Sequence, residues 1–193
     1  MKYVLGLIGV LFIVLISVLT YYGMFATVTI SEQETGSFWL VYEKYIGDYK
    51  NVGPVMTKLS NELKQKESIE ASRGFGLYYD NPQEVAKDKL RSLIGCILDE
   101  KDANKAQGLQ AKYNVKHYPA SKSVVASFPF RGHPSIFVGI FKVYPKIFSY
   151  LKDHNYTPVP MMELYDLPNN KITYIGSVNL PKLFFESLLE TRQ

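Results

Sequence analysis

The segment from Val4 to Ala26 constrains this chain most, because its 23 residues carry no charge. At 1.5 Å per residue, a helix of that length measures about 34 Å, which matches a hydrocarbon core of about 30 Å. Tyr21 and Tyr22 stand where the aromatic belt of a membrane interface is expected. The segment therefore predicts that the protein enters the membrane through one helix formed by residues 4–26.

A cleaved signal peptide is the alternative interpretation of this segment. Lys2 provides a short basic region, and Ala26 could precede a cleavage site. However, Met24 is not the small residue expected two positions before that site, and the apolar run exceeds a usual signal-peptide core. The sequence therefore favours an uncleaved anchor in residues 1–27, followed by a soluble domain in residues 28–193.

Composition and charge limit what the soluble part can be. The whole chain is 47% hydrophobic and 14% aromatic, which is enough for one ordinary core. The formal net charge of +4 comes from 22 basic and 18 acidic residues, with no run of five like charges. No nucleic-acid partner is predicted, because nucleic-acid-binding proteins concentrate their basic residues in one patch or arm.

Residues that usually carry metal or catalytic chemistry do not form a recognisable set. Cys96 is the one cysteine, which excludes an internal disulfide and a cysteine-based zinc site. His117, His133 and His154 lack the spacing of metal ligands. The sequence also lacks a nucleophile elbow, a phosphate loop and a dinucleotide fingerprint, so it predicts no cofactor, no metal and no assembled catalytic residues.

Two segments of the soluble part present the same features in the same order. Gly47 and Gly132 each follow a run rich in β-branched and aromatic residues, and they are 85 positions apart. Tyr79 and Tyr165 each lie in a short apolar run, and they are 86 positions apart. Such a repeat predicts an internal duplication, with each copy built as strand–helix–strand–strand.

These two copies define the predicted architecture. We place the units at residues 28–98 and 113–180, with a polar linker at residues 99–112. Pro145 lies inside the helix of the second unit, and we expect it to kink or restart that helix. Neither unit could close a core alone, so the expected fold is α+β, with one shared antiparallel sheet and helices on one face. Two apolar patterns predict the helices: Val52, Val55, Leu59 and Leu63, and then Phe137, Ile140, Tyr144, Phe148 and Leu151.

The run Leu-Tyr-Tyr-Asp-Asn-Pro from Leu77 to Pro82, and Glu163-Leu164-Tyr165, resemble the GyrI-like (gyrase-inhibitor-like) small-molecule-binding superfamily. Within it, the chain is similar to the membrane-anchored testis-expressed ER-phagy receptor subfamily. The resemblance implies a duplicated fold with a cleft between its halves. It also implies that Glu163 matches a buried glutamate that meets cationic or aromatic ligands, and that some members use for hydrolysis.

Glu163 also stands out from its own strand pattern. Side chains alternate along a strand, so Glu163 should share a face with Tyr165. We take Leu77, which shares a face with Tyr79, as the equivalent position in the first unit. A carboxylate then replaces an apolar residue, which is costly in a core unless the charge is paired or useful. The prediction is a ligand-binding site at Glu163, Tyr165 and Tyr79, and the alternative is that this strand is exposed.

Three functions follow from these observations. The first is a membrane-tethered domain that binds a small cationic or aromatic molecule in a cleft. The second is a membrane-anchored adaptor related to ER-phagy receptors, with protein partners that the sequence does not identify. The third is a hydrolase with Glu163 as general base. Phe185-Glu186-Ser187-Leu188 has the bare aromatic-x-x-aliphatic pattern of autophagy adaptors, but we expect a packed amphipathic helix there.

Overall fold

The computed structural model describes residues 2–190 and begins with one long apolar helix, α1 (Lys2–Tyr21). No part of its Tyr3–Tyr21 stretch is buried, and its mean hydropathy of 2.7 fits a membrane span or a signal sequence. The helix ends because Gly23 adopts a φ of 87°, which favours glycine, while the Met24 N–H donates to the Leu19 carbonyl.

The remaining chain forms one curled antiparallel sheet of eight strands, with helices packed on it. The order across the sheet is β1-β6-β8-β7-β3-β4-β2-β5. The strands are β1 (Ile30–Thr35), β2 (Phe38–Ile46), β3 (Arg73–Tyr78), β4 (Arg91–Ile97), β5 (Asn114–Tyr118), β6 (Ser121–Pro129), β7 (Met161–Asp166) and β8 (Lys171–Ser177). The helices are α2 (Val52–Glu67), α3 (Ala106–Leu109), α4 (His133–Asp153) and α5 (Lys182–Leu189), with 3-10 turns at Tyr49–Asn51, Lys87–Lys89 and Glu100–Lys105.

The predicted α+β class, the shared antiparallel sheet and the N-terminal apolar helix are confirmed. Its role as a membrane anchor stays a prediction. The predicted order of strand, helix, strand and strand occurs twice, first as β2-α2-β3-β4 and again as β6-α4-β7-β8. The two sets of strands meet at β3 and β7, near the middle of the sheet. That the two sets arose by duplication stays a prediction.

Three local expectations need correction. Strands β1 and β5 were not expected, and each pairs with a strand of the other set: β1 with β6, and β5 with β2. The segment expected to be a plain linker contains a 3-10 turn and α3. Helix α4 runs unbroken through Pro145, whose exposed position lets water solvate the carbonyl that loses its N–H partner.

The sheet separates two layers of core. Helices α2 and α4 cover one side, which we call the helix face, and it includes Val41 and Val124. Helix α5 covers part of the other side, the α5 face, which includes Leu77 and Met162. The long helices therefore share one face as predicted, and the short C-terminal helix lies on the opposite one.

The predicted amphipathic C-terminal helix is present as α5. Phe185 and Leu188 are fully buried on the α5 face. The Tyr42 hydroxyl donates to the Leu188 carbonyl at 2.9 Å, and the Tyr79 hydroxyl donates to the Phe185 carbonyl at 2.7 Å. Both apolar positions of the adaptor-like pattern are therefore part of the core and inaccessible in this state.

Residues 28–193 are expected to fold without α1, whereas residues 28–110 alone are expected to aggregate. The shorter fragment lacks β5, β6 and β7, so β1, β2 and β3 would each expose an unpaired edge. Circular dichroism and size-exclusion chromatography of both fragments would check this. A folded monomer of residues 28–110 would contradict the idea that the two halves depend on each other.

Candidate ligand-binding site

Glu163 lies on β7 in the middle of the sheet and points toward the helices. Only 2% of its surface is exposed. The Tyr144 hydroxyl, from α4, donates to one carboxylate oxygen at 2.8 Å, and the Tyr165 hydroxyl donates to the other at 2.6 Å. Tyr165 reaches the carboxylate because residues two apart on a strand share a face. The carboxyl group is thus buried and held from both sides by phenols.

Two glycines of β3 make room beside this carboxylate. Gly76 pairs directly with Glu163, and a Cβ at Gly76 would lie 2.5 Å from the Tyr78 hydroxyl oxygen. A Cβ at Gly74 would lie 2.5 Å from the Met56 sulfur. Because β3 has no side chain at either position, Tyr78 and Met56 lie across the strand and close the floor of the site.

Electrostatics make this carboxyl group unusual. Burial raises the pKa of Glu163, and the hydrogen bonds from Tyr165 and Tyr144 oppose that rise only in part. Burial and the nearby Glu163 charge also raise the pKa of both tyrosines well above its ordinary value. Within residues 2–190, no Lys, Arg or His forms an ion pair with Glu163. The site is therefore a buried acid without a counter-ion.

A cavity of about 1490 Å³ extends from Glu163 along the helix face and, past the end of β3 and the start of β7, to α5. Aromatic and apolar side chains form most of the wall around the carboxylate. On α4 the wall continues to exposed residues, since Phe137 is 64% and Phe141 is 82% exposed. Other charged residues, such as Asp80, Arg91 and Lys182, also line this long cavity. Around Glu163 itself the wall is mostly aromatic and apolar, which suits a ligand that is mostly apolar and carries a cation. The wall near Glu163 includes Met56, Tyr78, Phe130, Ile140, Tyr144, Phe148, Met161 and Tyr165.

The structure brings together two of the three residues predicted for the site. Glu163 and Tyr165 are in direct contact. Tyr79 borders the far end of the cavity beside Phe185, and its hydroxyl is bonded to the Phe185 carbonyl. A contact between Tyr79 and a ligand stays a prediction.

The proposed equivalence of Leu77 and Glu163 is wrong. In the β3–β7 ladder Leu77 pairs with Met162, and both side chains lie on the α5 face. Gly76, one position earlier, is the residue opposite Glu163. Neighbouring residues on a strand point to opposite faces of the sheet. Aligning the two units with an offset of 86 positions therefore matched Leu77, on the α5 face, with Glu163, on the helix face.

Sequence reasoning missed Tyr144 and Tyr78. Tyr144 was included in an apolar helical stripe, and nothing in that stripe shows that its hydroxyl meets a carboxylate. Tyr78 stands beside Tyr79 in the family-like run, and strand alternation puts only one of the two on the helix face. The glycines at 74 and 76 are the signal that could have located this face, because a strand with alternate glycines leaves space on one side.

Other reactive groups do not add to the site. Burial raises the pKa of the Cys96 thiol to about 11, so the thiol stays protonated at neutral pH. Cys96 packs beneath α2 as a small core residue. In the part of the chain that the structure describes, no group of three or more His, Cys, Asp or Glu side chains lies close enough to hold a metal ion.

The sequence profile of the GyrI-like small molecule binding domain matches residues 30–174, which include every residue of the Glu163 site. The chain belongs to this family. The match covers all eight strands except the last three residues of β8. The resemblance seen in the sequence is therefore confirmed at family level.

Two relatives extend this assignment of the GyrI-like chain. Testis-expressed protein 264 of Homo sapiens is 30% identical over 173 residues, covering 83% of this chain and 53% of that protein. The Mus musculus homolog of testis-expressed protein 264 is 29% identical over 153 residues, covering 75% of this chain and 48% of that protein. The chain thus spans about half the length of these relatives.

A solved structure supports the GyrI-like fold. The crystal structure of the EcmrR C-terminal domain superposes with a TM-score of 0.55 over 78% of this chain and 96% of that domain. The two sequences are 14% identical, so the likeness shows the fold alone.

Replacing Glu163 with glutamine is expected to keep or increase stability at neutral pH and to lose that advantage in acid. A raised folded-state pKa favours the neutral acid, so the wild-type domain loses stability as pH rises through that pKa. An amide of the same shape does not ionise and avoids this loss. Urea unfolding of the wild type and Glu163→Gln between pH 4 and 8 measures the difference. If Glu163→Gln were less stable than the wild type only at pH values above the raised pKa of Glu163, the expectation would be contradicted.

Proposed function

We propose that the chain is a membrane-tethered GyrI-like domain that binds small cationic or aromatic molecules in the cavity above Glu163. The main support for this proposal is the buried carboxyl group of Glu163, which lies without a counter-ion at the floor of an aromatic cavity. An isolated buried charge is a liability in an empty fold, so it needs a compensating use. A cationic ligand supplies the missing charge.

Aromatic walls strengthen the case for a cation. Tyr78, Tyr144 and Tyr165 surround the carboxylate, and a cation over aromatic faces gains about 0.5–2 kcal/mol for each favourable contact. Tyr144 stands on the cavity side of the carboxylate and is only half-buried. We expect Tyr144, the more exposed of the two tyrosines bonded to the carboxylate, to move when a ligand reaches Glu163.

A matched pair of ligands tests this function in the full chain reconstituted in nanodiscs. We would compare an aryl trimethylammonium ion with its neutral tert-butyl isostere, which has the same shape without the charge. At 100 times its dissociation constant, a ligand stabilises the folded state by about 2.7 kcal/mol, which raises the melting temperature. Equal shifts with both ligands would remove the role of charge, and no shift with any aromatic ligand would overturn the proposal.

The side of the membrane that carries the domain is a separate prediction. Lys2 is the basic residue at the start of α1, and Glu32 and Glu34 follow the helix, so the positive-inside bias favours a domain outside the cytoplasm. The resemblance to ER-phagy receptors favours the cytosol instead. Asn155 begins the sequence Asn-Tyr-Thr and is exposed. In eukaryotic cells, glycosylation at Asn155, detected by glycosidase digestion, would rule out a cytosolic domain.

A membrane-anchored adaptor is the second candidate, and the similarity to testis-expressed protein 264 supports it. The burial of Phe185 and Leu188 weighs against an adaptor motif at that place. Hydrolysis with Glu163 as general base is the third candidate. Both oxygens of Glu163 already accept hydrogen bonds from tyrosines, so a base would first need Tyr144 or Tyr165 to move.

A further inference from the structure

We propose that the exposed aromatic surface of α4, formed by Phe137 and Phe141, rests on the membrane interface, so that the ligand cavity opens beside the bilayer. This inference rests on the proposed role of α1 as an anchor. It adds an interaction surface and a partner, the lipid bilayer, that membrane tethering by itself does not require.

Helix α1 ends directly against the domain. Met24 lies at the level of the last helical turn, because its N–H donates to the Leu19 carbonyl at 2.9 Å. A Cβ at Gly23 would lie 2.8 Å from the Phe128 ring and 3.5 Å from Pro129, so the end of α1 packs directly on the end of β6. The domain therefore begins at the interface, without a spacer.

Two basic side chains in or near the first half of α4 contact the end of α1. Arg131, just before α4, lies with its guanidinium carbon 5.7 Å from the centre of the Tyr21 ring. Lys142, in the third turn of α4, donates from its ammonium group to the carbonyls of Met24 and Ala26. Arg131 lies two residues before α4, and Lys142 is 9 positions after the first residue of α4, or about 14 Å along the helix. Since both touch the end of α1, the first half of α4 runs across that end and does not lead away from it.

Two exposed phenylalanines lie on that half of α4. Phe137 and Phe141 are four positions apart and hence lie on the same side of the helix. They are 64% and 82% exposed, and four exposed large apolar side chains cluster on α4, the other two being Ile140 and Phe148. Apolar surface left in water costs about 25 cal/mol for each Å². A membrane interface removes this cost.

The charges around the two phenylalanines fit the same partner. Arg131 and Lys142 flank the pair, and Tyr21 and Phe25 continue the exposed aromatic surface from the α1 side. Aromatic side chains with neighbouring basic groups are typical of surfaces that lie in the headgroup region of a bilayer. A water-facing surface would instead favour polar residues.

The position of these phenylalanines also determines how a ligand reaches the cavity. Phe137, Phe141 and Phe148 belong to the wall of the cavity whose floor holds Glu163. If the first two rest on the bilayer, the rim of the cavity lies at the headgroup level. The ligand class is then an amphiphilic cation, whose apolar part dissolves in the bilayer while its charge stays at the interface.

Tryptophan fluorescence in nanodiscs tests this contact. In the full chain with Trp39→Phe, single tryptophans are placed by Phe137→Trp or Phe141→Trp, and brominated phosphatidylcholine is used as the quencher. Leu183→Trp is the matched control, because Leu183 is 71% exposed on α5, and Ile46→Trp, at 67% exposed, is a second. Phe12→Trp, in the middle of α1, reports insertion of the anchor.

We expect bromolipid to quench tryptophan at positions 12, 137 and 141 and to leave positions 46 and 183 unquenched. Quenching at position 12 without quenching at 137 or 141 would overturn the surface contact and leave the tethered domain in place. Equal quenching at 141 and 183 would also overturn it, since the contact would then lack a defined face. No quenching at position 12 would overturn the anchor itself, and with it this inference.

Discussion

Replacing Glu163 with glutamine is expected to weaken the binding of a cationic aromatic ligand about 10- to 150-fold. The expectation comes from the loss of the ionic contact between the cation and the carboxylate, worth about 1.5–3 kcal/mol in a buried site. Glutamine keeps the shape and one oxygen acceptor, so one tyrosine hydroxyl keeps its hydrogen bond while the other must accept one from the amide N–H. The neutral isostere should lose much less, because it makes no ionic contact with the carboxylate.

Acid is expected to have the same effect on the wild type. The pKa of Glu163 is raised by burial, so the carboxyl group gains its proton as pH falls through that raised value. Cation affinity should decrease over this range, whereas the affinity of Glu163→Gln should not change there. Isothermal titration at several pH values, with the cation and its isostere, measures both effects.

Glu43→Gln provides the control for this experiment, because Glu43 is exposed on β2. It changes net charge by the same amount as Glu163→Gln but should leave both affinities unchanged. If the cation and the isostere bind wild type and Glu163→Gln equally well, Glu163 lies outside the binding site. The adaptor hypothesis would then become the better account of the domain.

The sequence predicted most of the sheet because its strands follow simple rules. The runs that form β2 and β6 are rich in β-branched and aromatic residues, and the run that forms β4 is short and apolar. Each of these patterns is typical of a strand. Strand β1, with the sequence ISEQET, is polar and pairs at the sheet edge. Its strand conformation depends on its pairing with β6, far along the chain, and local propensity does not reveal that.

The site was predicted less completely for the same reason. Glu163 could be recognised because a carboxylate in an apolar strand is unusual, and Tyr165 followed from alternation. Tyr144 comes from a helix, so its meeting with Glu163 depends on how α4 lies over β7. That placement is set by the packing of Gly139 against Tyr174 and Phe128, which needs three elements to be known together.

Replacing Phe185 with alanine is expected to lower the free energy of unfolding by about 3–5 kcal/mol, the usual cost of emptying a buried aromatic position. Phe185 is fully buried, and its ring centre lies 6.4 Å from that of Tyr118 and 5.3 Å from that of Phe184. Removing its side chain would leave a cavity between α5 and the sheet. For a domain of this size, the loss corresponds to a melting temperature lower by about 6–20 °C.

Leu183→Ala, in the same helix, is the matched control. Leu183 is 71% exposed, so its replacement should change stability by no more than about 0.5 kcal/mol. Chemical denaturation of the full chain in nanodiscs, followed by circular dichroism, compares the two variants with the wild type. If Phe185→Ala costs as little as Leu183→Ala, α5 contributes no more to the core than a surface segment. Phe185 and Leu188 would then be free to leave the sheet and meet a protein partner, because the domain would lose almost nothing when they detach.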